Sequence, residues 1–324
     1  MIALFSQKHR TNRKQTMKVI KALIHFLVNT ERFLFFLLKL CRQGKIRNPI
    51  KKIYKRTVAV LANGPSLKEP LPYFAEKKHS ENIDYIVMNS FAFDGIFYII
   101  KPGHYCLVDP TYFEENWTSA LSSEEIDEIR KLFYILQNKV DWDLNLYIPQ
   151  NYCETFFRYS GIDNKFINII GINLLRYTGY EIFRNFFYGK GLAIPPVVNV
   201  SHLAIFIGIN SGYNSILLYG LENDIFRIIH VDENNQVFYE GFKHFYEDKE
   251  KKFYTYYNSK PRRVSECFDS FYNVFKTHDI LSKYADSMKV KIINCTRNSM
   301  VDSYKRLPLD IAVYDIDQIQ EISL

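Results

Sequence analysis

The residues of this chain best suited to chemistry stand at the ends of its strand-like runs. "TVAVLA" (57–62) is broken by Asn63-Gly64-Pro65-Ser66. A Gly-Pro turn can simply end a strand. It can also turn backbone N–H groups and a helix start toward an anion, as phosphate-binding loops do. "DYIVMN" (84–89) ends in Asn89 and "HYCLVD" (104–109) in Asp109. "NSILLYG" (214–220) is followed by Glu222, and "VKIINC" (290–295) by Thr296-Arg297-Asn298-Ser299. In an open α/β sheet, ligands bind in the crevice beyond the carboxyl ends of the strands, so these residues share a location. His244, in the polar and aromatic "YEGFKHFYEDKE", is a candidate general base, because imidazole titrates near neutrality. His230 and His278 are secondary candidates, and His202 reads as a packed core residue.

The elements that must position these residues alternate, which predicts an α/β fold with a mainly parallel sheet and flanking helices. Strands are expected over 57–62, 84–89, 104–109, 144–149, 214–220 and 290–295. Helices are expected over 122–136, with a serine N-cap and acids in the first turn, over 195–213, and over about 264–287. The aromatic stretch 152–190 yields no clear order, and "KKFYTYYNSKPRR" (251–263) reads as a loop able to clamp a phosphate or stack on a sugar.

Composition excludes several classes. The 324 residues carry a net charge of +7, but residues 1–56 hold 15 Lys and Arg against the single acid Glu31, a balance of +14. The remaining 27 basic and 34 acidic residues leave the body at −7, so nucleic acid is not an expected partner. The five scattered cysteines form no C-x-x-C pair, which points to a reducing compartment. P-loop, G-x-G-x-x-G, H-E-x-x-H and G-x-S-x-G motifs are all absent. Asp141-Trp142-Asp143 and Asp315-Ile316-Asp317 read as solvated loop acids, and no metal site is expected. Residues 1–56 form a separate basic arm. Its first 15 residues read as unstructured, and 18–41 as an amphipathic helix with Phe33, Phe35, Phe36, Leu37 and Leu40 toward lipid. Residues 57–324 form the body.

With these residues in view, the body resembles the bacterial family-42 sialyltransferases. It also resembles the related domain of motility-associated flagellin glycosyltransferases and 6-hydroxymethylpterin pyrophosphokinase-like proteins. The likeness runs through 57–306: the N-G-P-S-L turn at Asn63 to Leu67, "MNSFAF" with Asn89, Asp109-Pro110-Thr111-Tyr112-Phe113, "GYNSILLYG" at Gly212 to Gly220, Asn298-Ser299, and "KHFYED". It implies a Rossmann-like, GT-A-variant nucleotide-sugar fold. The implied activity is inverting transfer of a sialic-acid-like sugar from a CMP-activated donor, with no cofactor and no obligatory metal. The acceptor would be a bacterial surface glycan, free or lipid-linked, and the enzyme would lie in the cytoplasm at the inner face of the cell membrane.

On that likeness Asn63, Gly64, Ser66 and Asn89 hold the nucleotide and phosphate. Asp109 stands where the family carries asparagine, Asn199 and Ser201 approach the donor, and Asn298 and Ser299 complete the donor site. The family's catalytic histidine counts to the neighbourhood of Tyr272, so His244 takes that role through the H-F-Y match. Two rival readings remain at this level: a Mg²⁺-dependent pterin or nucleotide pyrophosphokinase, and a non-catalytic membrane-peripheral partner in polysaccharide assembly. A homo-oligomer is compatible with all three.

Overall fold

A computed structural model describes residues 2–43, 50–53, 57–76, 83–113, 121–257 and 260–307, with side chains from residue 17 onward. The chain opens with helix α1 (Ile2–Arg42). Then come β1 (Thr57–Leu61), α2 (Leu71–Glu76), β2 (Ile83–Met88), α3 (Ile96–Ile100), β3 (His104–Cys106) and α4 (Ser123–Lys139). β4 (Leu144–Pro149), α5 (Cys153–Ser160), β5 (Ile167–Ile172), α6 (Glu181–Gly189), α7 (Val200–Ser211) and β6 (Ser215–Tyr219) follow. The short strands β7 (Ile229–Val231), β8 (Val237–Phe242), β9 (Lys251–Tyr254), β10 (Tyr256–Tyr257) and β11 (Lys260–Pro261) precede α8 (Val264–Ser287), β12 (Lys291–Asn294) and β13 (Lys305–Arg306).

Two compact units result: Met1–Asn48 with Leu175–Ile194, and Pro49–Leu174 with Pro195–Leu324. The expected boundary at residue 56 lies outside the described residues. The unit that contains the arm also takes in a segment from the unreadable aromatic stretch.

In the larger unit the described residues build an eight-stranded parallel sheet in the order β13-β12-β6-β1-β2-β3-β4-β5, flanked by helices in a Rossmann-like α/β arrangement. The central β1 and β6 are buried at every position, as expected for the near-continuous apolar runs "TVAVL" and "SILLY" in a sheet covered on both faces. α7 is buried at all its positions, and so is apolar all round rather than on one stripe. It opens later than Pro195-Pro196 suggests, with Asn199 as N-cap, and ends at Gly212 in the left-handed region. α4 begins with the expected serine cap, a reciprocal Ser122–Glu125 capping box.

The amino ends of the strands carry a buried polar chain. Tyr147 Oη lies 3.0 Å from His104 Nδ1, His104 Nε2 lies 2.9 Å from Tyr213 Oη, and the Tyr213 hydroxyl donates to Asp84 Oδ2 at 2.7 Å. Two expectations need correction here. The third strand stops at Cys106, three residues before Asp109. The supposed loop 251–263 contributes β9, β10 and β11, paired in antiparallel ladders. The Asp315–Asp317 pair lies outside the described residues, whereas Asp141 is exposed and bridged to Lys101 at 2.8 Å.

In the smaller unit, α1 is helical from Ile2, so the segment read as unstructured is helical backbone; it contains no Gly or Pro to prevent this. Of the face expected to meet lipid, Phe33, Phe36, Leu37 and Leu40 instead turn toward the unit's interior, while Phe35 stays exposed. Phe36 and Leu40 are buried, at 1% and 6% exposure. The Phe36 ring packs edge-on against Tyr177 and Phe187, each at 4.9 Å. Phe33 meets Phe183 at 5.5 Å, and Thr178 Oγ1 donates to the Arg32 carbonyl at 3.0 Å. Apolar side chains bury against the nearest apolar surface, and the 175–194 segment supplies it within the chain.

Candidate functional site

Beyond the carboxyl ends of β1, β2 and β6 lies a cavity of about 400 Å³. This is the sheet's switch point: strands β1 to β5 run outward on one side, and β6, β12 and β13 on the other. Asn63, directly after β1, is buried. Its Nδ2 donates to the Met88 carbonyl at 3.4 Å, and its Oδ1 has no partner among the described residues. Asn89, directly after β2, adopts φ 49°, a left-handed conformation asparagine tolerates better than most residues. The Tyr105 hydroxyl donates to the Asn89 carbonyl, while Asn89 Oδ1 is buried and unpaired among the described residues.

The N–H groups of Gly64, Ser66 and Leu67 in and after the Asn63 turn are already engaged within the protein. Gly64 N–H donates to the Gly220 carbonyl at 2.9 Å, Leu67 N–H to the Gly64 carbonyl at 3.1 Å, and Ser66 N–H to Glu222 Oε1 at 2.7 Å. Pro65 has none to give. A carboxylate of the protein thus occupies the place where an anionic ligand was expected. Glycine is required at 64, because a Cβ there would overlap the Glu222 carboxylate and come within 2.6 Å of the Gly220 carbonyl. Glu222 Oε2 is buried without a partner among the described residues, and burial raises the pKa of this carboxyl against the pull of the Ser66 donors.

The opposite wall is the amino end of α7. Asn199 Oδ1 accepts the Ser201 hydroxyl at 2.6 Å and His202 N–H at 3.3 Å. His202 Nδ1 in return accepts Val198 N–H at 3.2 Å and Asn199 N–H at 3.4 Å. The core histidine of the sequence reading is therefore also a helix cap. The N–H groups of Val200 and Ser201 have no acceptor among the described residues, and Asn199, Val200 and Ser201 all line the cavity. The positive end of a twelve-residue helix therefore faces the cavity.

His244 lines the same cavity, just past β8. Its N–H donates to Glu247 Oε2 at 2.7 Å, and its ring stacks on Tyr246 at 5.2 Å. Its Nδ1 lies 3.3 Å from the Asn63 carbonyl, which can only accept. Nδ1 therefore carries the proton, and Nε2 keeps a lone pair with no partner among the described residues. Burial draws the pKa below the ordinary value, with Glu247 opposing. A proton acceptor at neutral pH results.

His278 is the contrasting case. It is fully buried, its Nε2 accepts from Asn223 Nδ2 at 3.0 Å, and its Nδ1 bonds the Tyr304 hydroxyl at 2.9 Å. Burial pushes its pKa down to about 3, so it has neither access nor a free lone pair for general-base work. His230 is exposed and stacked on Phe238.

Asn63, Gly64, Asn89, Asn199, Ser201 and His244 thus converge on one cavity, and the other expected residues do not line it. Ser66 sits behind Glu222. Asp109 is exposed and caps its own short turn, accepting Thr111 N–H at 3.0 Å. Asn298 is exposed. Ser299 is structural: its hydroxyl donates to the Leu221 carbonyl at 2.6 Å and accepts Asn294 Nδ2 at 3.0 Å. Glu222, Asn223 and Asp224 line the cavity without having been assigned a role. The available signal was a Gly followed closely by an acid after an apolar strand, the same punctuation that marked Asn63. Among the described residues no group of three or more His, Cys, Asp or Glu side chains is arranged to hold a metal ion. Comparison with protein-family models finds no match, and neither does comparison with the curated proteins.

Proposed function

We propose that this chain is an inverting glycosyltransferase of the sialyltransferase-like type, with a GT-A-variant site that takes a CMP-activated sugar. The observation that carries the reading is the cavity at the switch point, in which an oriented imidazole stands among buried acceptors that lack donors. Asn63 Oδ1, Asn89 Oδ1 and Glu222 Oε2 each need a hydrogen, and a buried acceptor left unpaired costs about 1–3 kcal/mol. A nucleoside supplies such hydrogens from its ribose hydroxyls and base amino group. A phosphate does not, so its place is the amino end of α7, where Val200 and Ser201 N–H groups are open. This shifts the phosphate from the Asn63–Ser66 turn to the facing wall.

In the proposed reaction His244 Nε2 takes the proton of an acceptor hydroxyl. The resulting oxygen attacks the anomeric carbon from the face opposite the leaving group. The bond from that carbon to the phosphate oxygen breaks, its electron pair stays on the phosphate, and CMP departs with inverted configuration left behind. The α7 dipole and N–H groups stabilise the charge as it develops.

The test is a thermal-shift panel of CMP, CDP, UDP, GDP and ATP, each with Mg²⁺ and with EDTA. CMP at about 100 times its Kd should stabilise by about 2.7 kcal/mol in either medium. A shift confined to Mg²⁺-bound di- or triphosphates would replace this reading with the pyrophosphokinase, and no shift with any nucleotide would replace it with a non-catalytic partner.

A further inference from the structure

α1 is apolar on two faces, and the smaller unit uses only one of them. Asn29, Phe33, Phe36 and Leu40 turn inward at helical spacing, half-buried or buried. On the other side Ile20, Leu23, Ile24, Leu27, Leu34 and Leu38 form an exposed stripe at three- and four-residue intervals, interrupted by Glu31. Beside that stripe Lys18, Lys21, His25, Arg32 and Lys39 recur at intervals of three, four, seven and seven residues, all exposed. α6, in the same unit, repeats the pattern on a smaller scale. Phe187 and Tyr188 are buried, while Ile182, Phe183 and Phe186 are exposed, Ile182 at 82%.

We infer that α1 and α6 together form a docking surface for an anionic lipid bilayer. Both helices would lie in the interface, with the leucine stripe and the α6 side chains entering the acyl boundary. Charge identifies the occupant. A partner protein or a second copy of this chain could cover an apolar stripe, but a second copy would bring its own positive row against this one. The first 56 residues carry a balance of +14, and a lysine row flanking an apolar stripe is complementary to headgroup phosphates. α6 extends what the sequence suggested: insertion is not confined to the arm, and on the arm it uses a leucine stripe that, apart from the exposed Phe35, lies away from the residues expected to meet lipid. This surface belongs to the smaller unit and does not rest on the transferase reading, because vesicle binding requires no donor or acceptor.

The experiment is flotation of the full chain with vesicles of phosphatidylcholine alone or mixed with phosphatidylglycerol, alongside light scattering of the vesicle-free protein. The chain should float with the anionic vesicles and be released at about 1 M salt, where the Debye length is near 3 Å. Leu27→Ser with Leu34→Ser, and separately Ile182→Ser with Phe186→Ser, should each weaken partitioning about tenfold or more. Changing Lys18, Lys21 and Lys39 to Gln should weaken it about fivefold per charge on anionic vesicles only. All these side chains are exposed, so the circular dichroism spectrum should stay unchanged. No flotation by the wild-type chain overturns the inference. Wild-type binding by the α6 variant overturns the two-helix surface. A vesicle-free dimer that the serine variants convert to monomer, without any flotation, makes the face an interface between copies and also overturns it.

Discussion

The two ends of the parallel sheet both bury polar groups, and they treat them in opposite ways. At the amino end Tyr147, His104, Tyr213 and Asp84 are joined by hydrogen bonds at 3.0, 2.9 and 2.7 Å. At the carboxyl end Asn63, Asn89 and Glu222 hold oxygens that no described residue pairs. A satisfied buried network fixes one arrangement of a core, whereas an unsatisfied one weakens the fold unless something else supplies the missing donors. The difference separates the end that maintains the sheet from the end that is built to receive a ligand.

That contrast can be broken most sharply at His244. His244→Ala should lower turnover of donor and acceptor by about 10²–10⁴-fold while leaving the melting temperature near wild type; unchanged turnover would remove the base from the site. Acidification acts next. His202, His244 and His278 are all depressed in the fold by burial, His278 to about 3. Unfolding lets each return toward about 6.5, so the unfolded chain binds protons that the fold refuses. Stability is therefore full above about pH 6.5 and falls progressively as the pH drops, the share of His278 being lost between about pH 6.5 and pH 3. Urea midpoints measured across that range should decline steadily, and His278→Gln should flatten the acid limb.

Tyr213→Phe removes the hydroxyl that links His104 to Asp84. It should cost about 2 kcal/mol in urea unfolding with CMP affinity unchanged. Asn63→Leu should do the reverse, because it deletes an orphaned oxygen. Its stability should stay within about 1 kcal/mol of wild type while CMP affinity falls about tenfold. Titration calorimetry beside urea unfolding distinguishes the two; if both variants lose stability and affinity together, the two ends do not differ as argued.

The sequence was most legible where a single period dominates. "TVAVL", "LNLYIP" and "SILLY" are buried strands because their runs are short, apolar and bounded by turn residues, and α8 spans 264–287 as expected. The 152–190 stretch resisted because two different environments share it. β5 is a half-exposed edge strand, and α6 turns its aromatics toward the smaller unit's interior and toward solvent. At the site, strand-end position picked out Asn63, Asn89 and Glu222, and the family resemblance added Asn199, Ser201 and His244; all line one cavity. Strand-end position misplaced Asp109, whose strand ends early and whose carboxylate satisfies its own turn. It left Glu222 without a role, because nothing in a sequence tells which of two carboxylate oxygens will lack a donor.

The strand order also governs how the chain emerges from a ribosome. β2, β3, β4 and β5 can add outward from β1 in the order they are made, but the other edge of β1 must wait for β6, about 150 residues later. Until then the nascent protein carries an open, wholly apolar strand edge, and the helix that covers that region, α7, is itself made just before β6. Synthesis therefore passes through a long aggregation-prone interval: β6 closes the edge of β1 but leaves its own outer edge open until β12 is made.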